Sequence, residues 1–178
     1  MLLRPGTRLL AFQLASFVTG MEWEVTSSTL STFVPGRRVD DNAFIMLASG
    51  PARGVLWCSQ VAPGNENALS LRVYGEKGGL EWHQENPNQL WFTPFGEPKR
   101  LLTRGGAGAG PAAARVTRVP GGHPEGYLEG FATIYTEAAR AIRAHKAGEA
   151  VPEGVLFPGI EDGLQGVRFI EAAIRLNR

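Results

Sequence analysis

The sequence predicts an α+β domain with an open-faced, mainly antiparallel sheet of about six or seven strands and helices packed on one face. Short segments with alternating apolar and polar side chains follow one another before residue Thr103, which is typical of half-buried strands. Closely spaced turn residues separate these segments, as in an antiparallel meander. Two longer segments with helical periodicity come afterwards. With 178 residues, the chain is expected to form one domain, residues 1–178.

The composition excludes several classes of partner. A net charge of +1 with scattered basic residues gives no surface for nucleic acid. The single cysteine, Cys58, rules out an intramolecular disulfide and is expected to be buried in a strand. No apolar stretch approaches the ~18 residues of a membrane span, and Pro5 and Gly6 interrupt the apolar run at the N-terminus. We therefore expect a cytoplasmic protein with no membrane partner.

The first elements are predicted to be a helix and two strands. Leu9–Val18 has helical periodicity, and Gly20 suits its end. Glu22–Val34 is rich in β-branched and aromatic residues and is predicted to form one long strand. A turn at Pro35–Arg38 separates it from an apolar strand, Ala43–Ala48.

Five further strands complete the predicted sheet. They are expected at Gly54–Val61, Leu69–Tyr74, Leu80–Gln84, Gln89–Thr93 and Arg100–Thr103. In the first of them, Val55 and Trp57 lie on one face, whereas Leu56 and Cys58 lie on the other. This alternation indicates a sheet with one face on the core and the other face open.

The last part of the chain is predicted to be helical. Gly105–Ala114 is interpreted as a low-complexity loop without regular structure. The next helix is predicted to open at Gly121–Glu125, with Pro124 in its first turn, and to end at Gly148. Its apolar stripe is expected to pack on a large surface and consists of Leu128, Phe131, Tyr135, Ala138 and Ile142. A second helix is predicted at Ile160–Leu176.

One glycine-rich segment matches a cofactor pattern but lacks its context. Gly108–Ala113 fits GxGxxA, yet Pro111 stands inside it and no buried strand leads directly into it. A dinucleotide fingerprint has to join a strand to a helix, so that the pyrophosphate sits at the helix N-terminus. A flexible loop is the better interpretation, and we expect this chain to bind no cofactor by itself.

His123 is the histidine with two competing interpretations. It follows two glycines and precedes Pro124 at the predicted helix start. A helix dipole there would disfavour the protonated ring, and the imidazole would hydrogen-bond a hydroxyl or a carbonyl of a ligand. Alternatively, His123 caps the helix. The residues by themselves favour neither interpretation.

Two polar turns have the composition of a site for a hydroxylated ligand. They are Asp40–Asp41 and Asn65–Asn67. Ordinary turn formation is the commoner use of such residues. The sequence contains no GxSxG elbow and no HExxH motif, and we predict no metal site and no catalytic residue.

Several motifs together resemble a known family. These motifs are FVTG (Phe17–Gly20), TFVPGR (Thr32–Arg37), SQVAPGNEN (Ser59–Asn67), VYGEKGGLEW (Val73–Trp82), GGHPEGYLEGF (Gly121–Phe131) and DGLQGVRFIEAA (Asp162–Ala173). They resemble the C-terminal domain of the Gfo/Idh/MocA family of NAD(P)-dependent oxidoreductases, which includes glucose–fructose oxidoreductase and inositol dehydrogenase-like enzymes. The resemblance extends from about Leu9 to the C-terminus.

The resemblance implies a division of labour between two domains. In the family, an N-terminal Rossmann domain binds NAD or NADP. The C-terminal domain lines the sugar or polyol site and dimerises through the bare face of its sheet. The 178 residues resemble only this second, substrate-binding and oligomerisation domain.

The resemblance also identifies candidate site residues. His123 matches the family's substrate-side histidine, and Gln60 and Asn65 stand where the family approaches its substrate pocket. The family's aspartate and proton-transferring histidine, four residues apart, align with Gly6 and Leu10, so neither functional group is present. We therefore expect a chain that is catalytically inactive in isolation.

The functional prediction is the substrate-binding and dimerisation domain of a sugar or polyol oxidoreductase. Its expected partners are a sugar or polyol and a second copy of the chain. The alternative is a stand-alone sugar- or polyol-binding or assembly module without enzymatic activity.

Overall fold

The computed structural model describes residues 5–178, and side chains from residue 8 onward. The four helices are α1 (Pro5–Thr19), α2 (Pro111–Val116), α3 (Tyr127–Ala147) and α4 (Ile160–Arg175). The seven strands are β1 (Glu24–Ser31), β2 (Asn42–Ser49), β3 (Ala52–Ser59), β4 (Ser70–Gly75), β5 (Gly78–His83), β6 (Gln89–Pro94) and β7 (Arg100–Thr103). All neighbouring strands are antiparallel. The predicted α+β class is confirmed.

The strands are hydrogen-bonded as two sheets, and the chain forms two compact units. The first unit contains the sheet β1-β2-β3 with α1 and α4, and runs to Glu66 before resuming at Gly159. The second unit, Asn67–Pro158, contains the sheet β4-β5-β6-β7 with α2 and α3. The polar turn residues that follow β3 separate the two sheets along the chain. Whether the chain behaves as one domain stays a prediction.

The core of the first unit lies between its sheet and its two helices. Phe12 of α1 stacks on Phe169 of α4, with ring centroids 4.2 Å apart. One face of β2 and β3 is buried against them and contributes Ala43, Ile45, Leu47, Leu56 and Cys58. Burial of Cys58 was predicted, and this burial raises the pKa of its thiol.

The other face of the first sheet is open, as its alternation predicts. Phe44, Met46, Val55 and Trp57 are all exposed, with Val55 at 69% and Trp57 at 57%. Phe44 and Trp57 are directly paired across β2 and β3, with parallel rings 6.2 Å apart. An apolar, flat and solvent-exposed sheet face is the main surface feature of the first unit.

The strand β1 is shorter than predicted. We predicted one strand over Glu22–Val34, but β1 ends at Ser31. The backbone N–H groups of Phe33 and Val34 donate to the carboxylate of Asp41 at 2.8 and 2.9 Å. Because these amides are bonded to a side chain, they do not continue the strand ladder.

The second unit is a four-stranded meander that depends on a glycine at one turn. Gly78, at the start of β5, has φ = 153°, and a Cβ there would lie 2.4 Å from the carbonyl oxygen of Thr93. No other residue type fits this backbone at such a close approach. The sequence VYGEKGG therefore marks a turn that only glycine can close.

The helix α3 begins later than predicted and buries a different face. We predicted its first turn at Pro124, but the N-cap is Gly126, whose N–H donates to Glu129 Oε2 at 2.9 Å. The predicted stripe does not pack within the second unit, since Leu128 is 76% and Tyr135 70% exposed. The side chains that α3 buries are Glu137, Ala141 and Ala144.

Polar contacts hold α3 in the second unit. The carboxylate of Glu137 accepts hydrogen bonds from Leu156 N at 3.0 Å, Arg115 at 2.9 Å and Arg140 at 3.1 Å. The hydrogen bond from Leu156 lowers the pKa of Glu137, because it outweighs the opposing effect of burial and the arginines add to it. The side chain is therefore ionised wherever the fold is intact near neutral pH.

The low-complexity segment contains a short helix, which corrects the predicted loop. Pro111–Val116 forms α2, with Gly110 as N-cap and proline at the first helical position. The three alanines that follow are the strongest helix formers, and proline is pre-organised for this position.

Candidate functional site

His123 lies in the segment between α2 and α3, residues 118–125, which we call the His123 loop. The loop contains Pro120 and Pro124, which lack N–H groups, and Gly121 and Gly122, of which Gly122 has φ = 84°. His123 itself is exposed, and its N–H donates to Pro120 O at 3.3 Å. It is not the helix N-cap, since α3 begins four residues later, and the helix dipole acts only within the first turn.

Arg104, the first residue after β7, holds the His123 loop. Its Nη1 donates to Val119 O at 2.7 Å. Its Nη2 donates to Pro120 O at 3.2 Å and to His123 O at 2.6 Å. Arg104 is itself fixed by Asn88, which accepts from Nε at 2.7 Å and from the backbone N–H at 2.9 Å.

Glu125 closes the same loop from the other end. Its carboxylate accepts the N–H groups of Arg118 at 2.9 Å and Val119 at 3.2 Å, and pairs with Arg104 Nη1 at 2.7 Å. Both partners are mostly buried, with side chains 15% exposed for Arg104 and 7% for Glu125. A buried ion pair is tolerated when further hydrogen bonds satisfy both charges, as they do here.

The sequence did not identify Arg104 or Glu125 as site residues. Glu125 falls at the predicted opening of this helix, yet it lies ahead of α3 and accepts hydrogen bonds from the earlier residues Arg118 and Val119. Arg104 stands beside a glycine-rich segment with no local pattern that marks it. One available signal was the pair of glycines, because Gly122 has φ = 84°, a backbone conformation that favours glycine.

The other two predicted site residues belong to the first unit. Gln60 follows β3, is half-buried, and donates its backbone N–H to Asp41 O at 2.8 Å. Asn65 is exposed, and both its backbone N–H and its Nδ2 lie 3.3 Å from Ala62 O. His123 belongs to the second unit. Their substrate role stays a prediction.

Asp41 supports the fold of the first unit. Burial opposes its ionisation, but the N–H groups of Phe33 and Val34 and the nearby Arg37 outweigh burial and lower the pKa of Asp41. The carboxylate is completely buried. Of the two interpretations of this turn, the structural one fits Asp41, since its carboxylate is out of reach of a ligand and both of its oxygens already accept hydrogen bonds within the fold.

The two positions that were expected to align with the family's proton-transfer pair lie in α1. Gly6 and Leu10 carry no ionisable group, and Leu10 is 61% exposed. Arg8, between them, is buried and pairs with Asp40. These side chains offer no general base for a hydroxyl at this place.

A second polar cluster occupies the sheet of the second unit. Lys99 donates to Glu81 Oε2 at 2.7 Å, and His83 Nε2 lies 3.0 Å from Glu81 Oε1. These two hydrogen bonds, that from Lys99 foremost, lower the pKa of Glu81 to about 2. The Lys99 ammonium also lies 4.8 Å from the centroid of the Trp91 ring. An open groove of about 420 Å³ lies here, and none of its lining residues belongs to the His123 loop.

The described part of the chain shows neither a metal cluster nor a site of the Rossmann type. Among residues 5–178, no three His, Cys, Asp or Glu side chains are grouped to hold a metal ion. Gly108 and Gly110 precede a six-residue helix, after an edge strand of an antiparallel sheet. This arrangement does not fit a dinucleotide. None of the described helices is both long enough and apolar enough to span a bilayer.

Comparison with known proteins gives the chain its context. A family model described as the GFO/IDH/MocA C-terminal domain matches residues 11–81. The uncharacterised oxidoreductase YfiI of Bacillus subtilis (strain 168) is 31% identical over 147 residues, which are 81% of this chain and 37% of YfiI. The chain belongs to the GFO/IDH/MocA family.

Solved structures extend the match to the fold of nearly the whole chain. An oxidoreductase from Sinorhizobium meliloti is 57% identical, with a TM-score of 0.87 over 94% of this chain and 48% of that one. An inositol dehydrogenase homolog from Azotobacter vinelandii, complexed with NADH and myo-inositol, is 31% identical. Its TM-score is 0.88 over 94% of this chain and 45% of that one. The chain therefore spans about half the length of these GFO/IDH/MocA relatives, and what it matches is their C-terminal domain.

Proposed function

We propose that this chain is the substrate-binding and dimerisation domain of an NAD(P)-dependent sugar or polyol oxidoreductase of the GFO/IDH/MocA family. The ligand class is a cyclic polyol, with myo-inositol as the representative. The observation that carries this proposal is the likeness to the Azotobacter vinelandii inositol dehydrogenase homolog, whose structure contains NADH and myo-inositol.

His123 is the residue that we assign to the ligand. Its backbone is held by Arg104 while its imidazole is exposed. An imidazole has one nitrogen that donates and one that accepts when it is neutral, and a polyol hydroxyl can satisfy either. Gln60 and Asn65 are proposed as further ligand contacts; the support for them is the family resemblance of the motif Ser59–Asn67 in which they stand.

The isolated chain is proposed to bind without catalysing oxidation. Oxidation of a carbinol requires a hydride acceptor and a base for the hydroxyl proton. Gly6 and Leu10 stand where the family has its aspartate and histidine, and the described residues do not fit a nicotinamide dinucleotide. NAD or NADP would be bound by the Rossmann domain of a complete family member.

Dimerisation is proposed to use the open face of the first sheet. Exposed apolar side chains cover this face at Phe44, Met46, Val55 and Trp57. A contiguous apolar surface of this kind is typical of a protein interface. The occupant is a second copy of the same face, as the family resemblance implies.

A binding measurement tests the ligand assignment. Calorimetric titration of the purified chain with myo-inositol should give saturable binding, and saturating ligand should raise the melting temperature. At a hundredfold excess over Kd the stabilisation is ~2.7 kcal/mol. His123→Ala should weaken binding by about tenfold, the value of one hydrogen bond to a ligand.

His145→Ala is the matched control, since His145 is an exposed histidine in the last turn of α3. It should bind myo-inositol as the parent does. Equal affinity of the His123→Ala variant and the parent would reject the assignment of His123. NAD(P)-linked oxidation of myo-inositol by the purified chain would contradict the proposed inactivity.

A further inference from the structure

The His123 loop has little means of holding its own shape. Two prolines and two glycines stand among its eight residues, 118–125, and it forms no helix or strand. Prolines remove donors, and glycines add conformational freedom. Within the loop, Glu125 accepts the N–H groups of Arg118 and Val119, whereas the carbonyls of Val119 and His123 are bonded by a side chain from outside it.

The guanidinium of Arg104 supplies these bonds with its full set of donors. Arginine carries five N–H groups in a planar fork. Asn88 Oδ1 accepts from Nε; the carbonyls of Val119, Pro120 and His123 and the carboxylate of Glu125 accept from the two Nη atoms. Five donors therefore meet five acceptors, and four of those acceptors belong to the His123 loop.

The bond to His123 is the shortest of the set. Nη2 lies 2.6 Å from His123 O, which fixes the backbone of the residue whose ring is exposed. The anchor on the other side is rigid, because Asn88 holds Arg104 through both its backbone and its side chain. The side chain of Arg104 thus links the backbone of His123 to the sheet and thereby sets the position of its ring.

We propose that Arg104 is the positioning residue for His123: it holds the loop so that the imidazole is pre-organised for a polyol hydroxyl. This inference rests on the proposed function. Arg104 acts through His123, since its five donors are already used within the protein. Without it, the ligand would have to order the loop on binding and would lose affinity.

The test combines affinity with a double-mutant cycle. Arg104→Gln should weaken myo-inositol binding by about tenfold or more, since small misplacements of a site group have effects of this size. Arg104→Lys keeps the charge beside Glu125 but not the fork, and should restore only part of the affinity. The double variant Arg104→Gln/His123→Ala should bind no more weakly than His123→Ala. Additive losses in the double variant would overturn the proposal, because they would give Arg104 an independent role.

A second measurement does not depend on ligand. Backbone ¹⁵N order parameters of Gly121, Gly122 and His123 should be near 0.85 in the parent and should fall below about 0.6 in Arg104→Gln. The amides of β4–β6 should keep their values. Arg100→Gln is the control, since Arg100 is an exposed arginine at the start of β7 that pairs with Glu97.

The two measurements separate the two hypotheses. If the parent binds no myo-inositol, the proposed function fails, and the order parameters still decide whether Arg104 holds the loop. Unchanged order parameters in Arg104→Gln would reject the positioning role even where binding of the polyol is confirmed.

Discussion

Among single residues, Glu81 shows how a local cluster sets pH dependence. Its pKa in the folded chain is about 2, against 4.5 for the ordinary group, because Lys99 and His83 hydrogen-bond the carboxylate. A lowered folded pKa means that the group stabilises the fold above pH 4.5. That contribution is lost as the pH falls from 4.5 toward about 2.

We therefore expect Glu81→Gln to be less stable than the parent at pH 6 and equally stable near pH 2. Urea unfolding at a series of pH values measures the difference directly. Glu76→Gln, an exposed glutamate in the turn before β5, serves as control and should give a difference that stays small throughout. A Glu81→Gln difference that is constant with pH would show that the carboxylate contributes nothing through its charge.

The residues of the candidate site show what a sequence can and cannot identify. His123 was found because its neighbours Gly121 to Glu125 form a local motif. Arg104 was not found, because its partners lie 16 residues earlier or 15 to 21 residues later along the chain, and only the fold brings them together. Asp41 shows the same limit, since its use in the fold depends on amides of another segment.

At the scale of elements, replacing glycine by alanine should change the free energy of unfolding in opposite directions at two positions. Gly78 closes the β4–β5 turn with φ = 153° and a carbonyl 2.4 Å from where a Cβ would stand. Gly130 lies on the exposed side of α3 with nothing within 4 Å of such a Cβ. At Gly78 the effect of alanine on stability is set by backbone strain, and at Gly130 it is set by helix propensity.

Gly78→Ala should accordingly lower the free energy of unfolding by about 1–3 kcal/mol or more. Gly130→Ala should raise it by about 0.5–1 kcal/mol. Thermal unfolding of both variants beside the parent checks the pair. Two changes of the same sign would contradict this account of the β4–β5 turn.

Element boundaries were predictable where local chemistry decided them. The helix α1 ends at Thr19, and Gly20 after it has φ = 65°, as the sequence indicated. The strand β7 matches its predicted range, Arg100–Thr103. The predicted start of α3 was wrong because Glu125 is bound by backbone amides and by an arginine that lie outside the helix.

For the whole molecule, the sharpest expectation concerns association. The open face of the first sheet exposes Trp57 at 57% and Val55 at 69%, and a C2 dimer would bury this face against the same face of the second copy. Trp57→Glu places a charge in that interface, where it has no partner. We expect the parent to be a dimer and this variant a monomer in light scattering coupled to size-exclusion chromatography.

Phe157→Glu is the control, because Phe157 is exposed to a similar degree, 42%, but lies outside the sheets. It should keep the mass of the parent. A monomeric parent, or a Trp57→Glu variant that stays dimeric, would reject the proposal that the open face is the dimer interface.

The α+β class of the whole chain followed from its alternation pattern and turns, and the structure confirms it. The division of the seven strands into two sheets did not follow. Strand patterns report which faces are buried but contain no information on which strands are hydrogen-bonded neighbours. Family membership was visible in the motifs, since they extend over several elements at once.

The attachment of α3 has a consequence for how this chain would come apart. The helix is held by the carboxylate of Glu137, by hydrogen bonds from Arg118 to Thr133 and Thr136, and by two buried alanines, so its release would expose little apolar surface. Denaturant sensitivity scales with the surface that is exposed, and such a release would therefore hardly respond to urea. Amide exchange in α3 would run at a nearly constant rate at urea concentrations that already accelerate exchange in the strands. Acid would act differently: protonating Glu137 would loosen α3, and protonating Asp41 would weaken the first unit, because both carboxylates have a lowered pKa in the folded chain.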